Sequence, residues 1–430
     1  MIEKQFFEIL NNELVVAVGC TEPIAIVIAA AYAKKYLNGN AIEKIDVKAS
    51  RNVIKNAFSV KIPGTNDFGI NLAAALGIQM GTPEKNMEIL TDLKSEDVRA
   101  AKKMVEQNIV SVELSNSPKK LYVEVVAKTE KSTSKAVIED FHDNLVSIEV
   151  DGKKLNLETE VKTLKKNDIN LDDLTLDKII KFTYEVKTEK LGLIKQCIDL
   201  NSHISLEGIN NSYGIEVGRN IRSNIDGKLL GNDTTNFAVA LTAAGSDARM
   251  AGCNLPVMTN SGSGNQGILA TMPVVVFAAN INTTEETLLR AVTLSNLITI
   301  YIKSMLGRLS AMCGATISAA GSCCGITYLM GGNAEQIKFS IQNIIGNLTG
   351  MICDGAKAGC ALKVATCTNA AIQSAICVME GHHIKSTDGI VEDDPEDTIR
   401  NFCQIGNNGM AEADKILLKI MMDKTNKSNN

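Results

Sequence analysis

The sequence predicts an α+β protein in which an N-terminal α/β domain with a small antiparallel sheet, residues 1–165, precedes a mainly α-helical domain, residues 166–430. Three observations carry that prediction. The stretches "KKLYVEVVAKTE" and "NLVSIEVDGKKLNLETE" alternate apolar with polar residues at the period of a half-buried strand, and the second holds an Asp151-Gly152 hairpin signal. Further on, "LTLDKIIKFTYEVKTEKLGLIKQCIDL" spaces its apolar residues at three and four, and after about residue 230 apolar helices alternate with Gly- and Asn-rich loops. Between these regimes "KTLKKNDINLDD" is charged and poor in large apolar residues, which sets the boundary near residue 165.

In chain order, residues 1–40 read as two helices on either side of "GCTEP", with Pro23 in the first turn of the second, where a missing N–H costs nothing. "EKIDVKAS" and "NAFSVKIPG" read as short strands, and "NDFGINLAAALGIQMG" as a buried helix ending at Gly81. Residues 309–330 carry no charge and are long enough to span a bilayer. Their content is mostly Gly, Ala, Ser, Thr and Cys, and Gly314, Gly321 and Gly325 lower helix propensity, so a buried helix and loop with close backbone approaches is expected instead.

Composition narrows the function. The chain has 430 residues, enough for two or three domains, and its formal charge of −5 gives no electrostatic grip on nucleic acid or an anionic membrane. The start, "MIEKQFFEIL", is not a basic-then-apolar signal peptide, and eleven cysteines stand among four histidines. A cytoplasmic location is expected, in which thiols stay free or hold metal, and a homodimer is the default assembly.

Cys20 has no second cysteine nearby, so any partner must come from a remote part of the chain. Nine of the eleven cysteines fall between residues 253 and 403. Cys313 in "MCGATISAAG" and Cys353 in "ICDGAKAG" stand out because small residues and glycine follow each, leaving room for something bulky against the backbone. Cys360, Cys367 and Cys377 have the spacing and neighbours of a helix packed on other helices. "GSGNQG", residues 262–267, fits the pyrophosphate pattern GxGxxG, but the preceding strand is short and Pro273 would break the helix that should follow, which argues against a nucleotide. The wider loop "TNSGSGNQG" can hold a small carboxylate through Ser261, Ser263, Asn265 and backbone N–H groups, or can simply connect buried helices.

Five stretches in order, "GCTEP", "NVIKNAFSVKIPGT", "MCGATISAAG", "ICDGAKAGC" and "STDGIVEDDPEDTIRNF", resemble the L-cysteine desulfidase family, whose members are also described as serine dehydratase alpha-chain-like. The likeness covers nearly the whole chain, and more distantly the sequence is similar to the iron–sulfur L-serine dehydratases. The resemblance implies a [4Fe-4S] cluster and no pyridoxal phosphate, with Cys20, Cys313 and Cys353 as ligands motif by motif. An iron without a protein ligand would then act as Lewis acid in β-elimination of L-cysteine to pyruvate, ammonia and hydrogen sulfide.

Within that expectation Lys55 is the preferred base, since a buried lysine can lose its proton. Asn52 and Thr65 would orient the amino-acid substrate, Ser261, Ser263 and Asn265 would grip its carboxylate, and Glu22 either binds its ammonium or caps the helix. Where the serine dehydratases carry His-Gly-Thr this chain has Pro63-Gly64-Thr65, so no histidine role carries over; His382 and His383 read as a solvated loop. The competing readings are an L-serine dehydratase and a non-catalytic iron–sulfur sensor.

Overall fold

Two large hydrophobic cores organise the chain in the computed structural model, which describes residues 2–39, 41–157 and 174–428. α1 (Ile2–Glu13) and β1 (Val16–Val18) lead into α2 (Thr21–Lys35), and β2 (Lys44–Ala49) is followed by α3 (Arg51–Ala57), α4 (Ile70–Met80) and α5 (Ser95–Glu106). Five strands come next: β3 (Val110–Leu114), β4 (Tyr122–Lys128), β5 (Thr133–Glu139), β6 (Leu145–Val150) and β7 (Lys153–Lys154). With β2 they form one sheet of order β3-β2-β4-β5-β6-β7, antiparallel except for the β2/β3 pair. The Asp151-Gly152 hairpin forms as expected, with both residues at positive φ, 48° and 79°. α2 lies between this sheet and α4. Thr21 to Ala33 are all buried, which is why "TEPIAIVIAAAYA" shows no polar stripe.

The remainder is helical, as predicted, with one further strand. It runs α6 (Leu176–Glu185), α7 (Gly192–Asn210), α8 (Val217–Asp226), α9 (Thr234–Met250), β8 (Pro256–Met258), α10 (Gly264–Asn280), α11 (Glu285–Leu306), α12 (Gly314–Leu329), α13 (Ala334–Leu348), α14 (Cys360–Met379), α15 (Pro395–Gln404) and α16 (Ala411–Ser428). α12 is central, packed on α10, α11, α13 and α14. Its small residues permit this: a Cβ on Gly321 would fall 2.3 Å from the Ser295 carbonyl oxygen of α11. Among the described residues one helix, Cys360–Met379, is long and apolar enough to cross a membrane; here it packs on α9, α12 and α13.

Two local expectations are corrected. "NAFSVKIPG" is not a strand. Its first two residues, Asn56 and Ala57, are the buried end of α3, and the rest contributes only Lys61 to an isolated bridge with Phe68. Pro273 does not end the helix after the glycine loop: α10 runs through it, and Ser295 Oγ of α11 donates to the Ala270 carbonyl at 2.5 Å, in the turn the proline loosens. The strand before that loop pairs antiparallel with β1, so the loop is no part of a parallel βαβ unit.

The boundary expected near residue 165 lies outside the described residues. The N-terminal arm, however, belongs to the helical core: Phe6, Ile9 and Leu10 are buried there, Phe6 stacks on Phe182 at 4.4 Å, and Val16 pairs with Met258. At Gly19 the chain turns into the other core. Its φ of +81° and an absent Cβ that would meet Pro63 Cγ at 2.4 Å both require glycine.

Asp247 on α9 is buried, accepting the Gly218 N–H at 3.0 Å through one oxygen while the other has no partner among the described residues. Burial pushes its carboxyl up from 3.8 to about 6. In that window the folded chain binds the extra proton, so this group favours folding in acid and the advantage is lost as pH rises through about 6. Asp247→Asn, which keeps an acceptor for Gly218, is expected to be more stable than wild type at pH 7 by about 1–2 kcal/mol and to lose that difference near pH 4; urea titrations at both values measure it.

Candidate active site

Cys20 is the N-cap of α2, at the point where the chain leaves the helical core for the α/β core. Cys313 is the N-cap of α12, and Cys353 follows a short antiparallel bridge between Met312 and Ile352. The bridge is closed by Cys313 N–H to Met351 O at 2.9 Å and Cys353 N–H to Ala311 O at 2.7 Å. Each cysteine is one residue beyond the bridged pair, so the alternation of an extended backbone turns both to the same side. Cys360 opens α14.

All four thiols line one cavity of about 740 Å³, its open mouth included. The N-termini of α2, α10, α12 and α14 converge on it through Cys20, Ser263, Cys313 and Cys360. Helix starts carry free N–H groups and partial positive charge, so this is a place for anions and thiolates. Among the described residues no three His, Cys, Asp or Glu side chains are gathered closely enough for one metal ion. Thiols spread around a cavity suit instead a group with several metal atoms, each reaching a different one.

The electrostatics divide the four. Burial, then the nearby Cys353 and Cys360, push the Cys313 thiol up to about 12, and Cys360 is raised by burial and by Cys353. Cys20 is raised well above its usual value by burial and by Glu22, whose Oε2 accepts its S–H at 3.1 Å. Buried thiols crowded in this way hold their protons until a metal replaces them. Glu22 is the one carboxylate among the described lining residues. Burial would raise it, but His142 Nε2 at 3.7 Å, Cys20 and Asn56 Nδ2 at 2.9 Å outweigh this and hold it well below the usual carboxylate range.

Four cations also line the cavity. Lys363 is bound by Asp354 at 2.6 Å and Arg308 by Glu13 at 2.6 Å. Arg249 and Lys303 form no ion pair with any described residue, so the cavity keeps uncompensated positive charge. Burial pushes the Lys303 ammonium down to about 8.

Of the residues expected from sequence, Cys20, Glu22, Ser263, Asn265, Cys313 and Cys353 line this cavity. Lys55, Asn52, Thr65 and Ser261 do not. The Lys55 ammonium is turned away to Asp414 on α16, at 2.6 Å, and only its carbonyl approaches the site, where a Cβ on Gly355 would fall 2.5 Å from it. One helical turn on, Asn56 takes the place expected for Asn52 and reaches Glu22. Thr65 closes its own turn, donating to Ile62 O at 2.8 Å, and Ser261 Oγ donates to Asn260 Oδ1 at 3.0 Å.

Sequence reasoning missed Cys360, Arg249 and Lys303. Cys360 had a signal: "GC" at residues 359–360 repeats the "GC" at 19–20, a glycine turn followed by a cysteine at a helix start. Lys303 had a weaker one, as the lone charge in "ITIYIKSML". Arg249 had none, because its role depends on a loop that follows it in sequence and folds back.

A family model described as serine dehydratase alpha chain matches residues 84–419. A UPF0597 protein of Oleidesulfovibrio alaskensis is 44% identical over 421 residues, covering 98% of both chains. UPF0597 proteins of Clostridium perfringens strain SM101 and Bacteroides thetaiotaomicron are 43% and 42% identical, covering 99% and 98% of each chain.

Proposed function

The chain belongs to the serine dehydratase alpha chain family, a lyase-type family, and from that premise we propose that it is an iron–sulfur lyase that cleaves L-cysteine to pyruvate, ammonia and hydrogen sulfide. The observation that carries this reading is the meeting of four thiols from three distant chain segments in a cavity faced by four helix N-termini. A [4Fe-4S] cluster with one iron free of protein ligand would supply there a Lewis acid for the substrate's sulfur. Such an iron exists only if one of the four thiols stays off the cluster.

Cys20 is the thiol that stays off. Its proton already has a carboxylate acceptor in Glu22, and that negative charge opposes a second one on sulfur. Cys313, Cys353 and Cys360 lie in one another's field and would form the ligand set. Cys20, expected from the resemblance as a ligand, instead keeps its S–H on Glu22.

Elimination needs a base for the Cα proton. Lys303, buried, lining the cavity and without a hydrogen-bond partner among the described residues, takes the place given to Lys55 in the sequence reading. As its amine accepts the Cα proton, the Cα–Cβ double bond forms, the Cβ–S bond breaks and sulfide leaves. The resulting 2-aminoacrylate tautomerises to the imine, and water hydrolyses it to pyruvate and ammonia. Glu22 balances the substrate ammonium as the cavity's carboxylate.

L-Serine is the rival substrate, because a hydroxyl can also bind iron and Ser263, Asn265 and Gln266 make one wall polar. Softer sulfur favours cysteine. Protein purified without oxygen is expected to contain iron and acid-labile sulfide and to give a higher kcat/KM with L-cysteine than with L-serine. Equal or faster serine turnover would transfer the activity to serine, and metal-free protein of undiminished activity would overturn the reading.

A further inference from the structure

Arg249 sits in the last turn of α9 and is only 3% exposed, yet it meets no acidic side chain among the described residues. Nη1 donates to Asn265 Oδ1 at 3.2 Å, a neutral partner, and Nε–H is buried with no acceptor among the described residues. A guanidinium keeps its charge at any physiological pH, so burying it without a counter-charge is costly unless an anion arrives. The side chain is held across the start of α10. A Cβ on Gly264 would fall 2.2 Å from Nε and 2.8 Å from Cζ, so only glycine allows the guanidinium to lie against the helix's first residue. Ser263, the N-cap, makes no side-chain cap bond, and the first intrahelical bond is Gly267 N–H to Ser263 O at 3.1 Å. The amides of the first turn are therefore open toward the same place.

We propose that Arg249 and the open first turn of α10, with Ser263 and Asn265, form an anion subsite that takes the α-carboxylate of the amino acid bound in the cysteine-lined cavity. The inference rests on the lyase reading for the identity of the ligand, but the subsite stands on its own geometry. A buried guanidinium and a helix N-terminus facing one point form a cradle for a planar, singly charged group. It also gives direction: with the carboxylate at α10, the rest of the amino acid extends along the cavity wall that carries the thiols.

Titration calorimetry under nitrogen with L-cysteine, L-serine and cysteamine, which lacks the carboxylate, tests this on wild type, Arg249→Met and Arg249→Lys, with iron content measured in parallel. Wild type is expected to bind the amino acids at least tenfold tighter than cysteamine. Arg249→Met is expected to keep its iron, weaken amino-acid binding about 100-fold and leave cysteamine unchanged, with Arg249→Lys in between. Unaltered amino-acid binding in Arg249→Met, equal weakening for cysteamine, or no preference for the carboxylate in wild type would each overturn the subsite. Carboxylate-dependent binding that Arg249→Met abolishes, in a protein that turns over neither amino acid, upholds the subsite and fails the lyase reading.

Discussion

Serine in place of Cys353 is expected to leave a folded protein that has lost its iron and its activity. Cys353 lies in the field of Cys313 and Cys360, and its N–H bond to Ala311 O ties it into the bridge that turns Cys313 the same way. A serine hydroxyl resists deprotonation far more than a thiol and is a hard ligand where iron–sulfur chemistry uses soft thiolate, so one lost sulfur opens the set. Iron is expected to fall from about four atoms per chain to less than one, read by metal analysis and by loss of visible absorption. The backbone bond does not involve the side chain, so circular dichroism should be unchanged. Cys313→Ser and Cys360→Ser should behave alike. Two controls are expected to keep the iron: Cys197→Ser, whose thiol faces Thr271 Oγ1 at 3.1 Å inside the helical core, and Cys377→Ser, which is exposed. Cys20→Ser separates the two ligand sets. With Cys20 off the cluster the variant retains its iron; iron loss equal to that of Cys353→Ser would return Cys20 to the ligands and remove Cys360.

Lys303→Met is expected to lower kcat by about 10²–10⁴-fold, the usual contribution of a positioned base, with iron content intact. Methionine fills a similar length without a buried charge, so thermal stability should not fall, and a slow variant cannot be dismissed as misfolded. L-Cysteine in deuterated buffer adds an independent readout: the variant should also lose wash-in of deuterium at Cα. Lys303→Arg should be equally slow, because a guanidinium cannot give up its proton to become a base. Lys55→Met tests the alternative. It breaks the pair with Asp414 and releases α16 from α3, so its expected signature is a lower melting temperature with kcat per iron-loaded chain nearly unchanged. A large kcat loss in Lys55→Met together with an active Lys303→Met would reverse the assignment.

Much of the fold was legible because it depends on local periodicity. The strands around Asp151-Gly152, the buried helix ending at Gly81 and the helical run after residue 174 each carry their pattern within one window of sequence. The misreadings also have local causes. In "NAFSVKIPG" the alternation of Phe58, Val60 and Ile62 with Ser59 and Lys61 has the period of a strand, but among the described residues only the isolated Lys61/Phe68 bridge pairs with it. At Pro273 the loss of a hydrogen bond was foreseeable, but the hydroxyl of Ser295 on another helix was not.

The sequence by itself determined which residue types stand at the helix starts: glycine beside cysteine at 19–20, 313–314 and 359–360, and a glycine-rich loop before α10. Backbone geometry at those points is a short-range matter, set by glycine's freedom and by the absence of a side chain. Only the tertiary structure decided that the four starts face one cavity, that Lys55 turns to Asp414 while Lys303 pairs with no carboxylate among the described residues, and that Arg249 lies across Gly264. Burial and charge balance are properties of where distant segments pack, and no window of sequence contains both sides of such a contact.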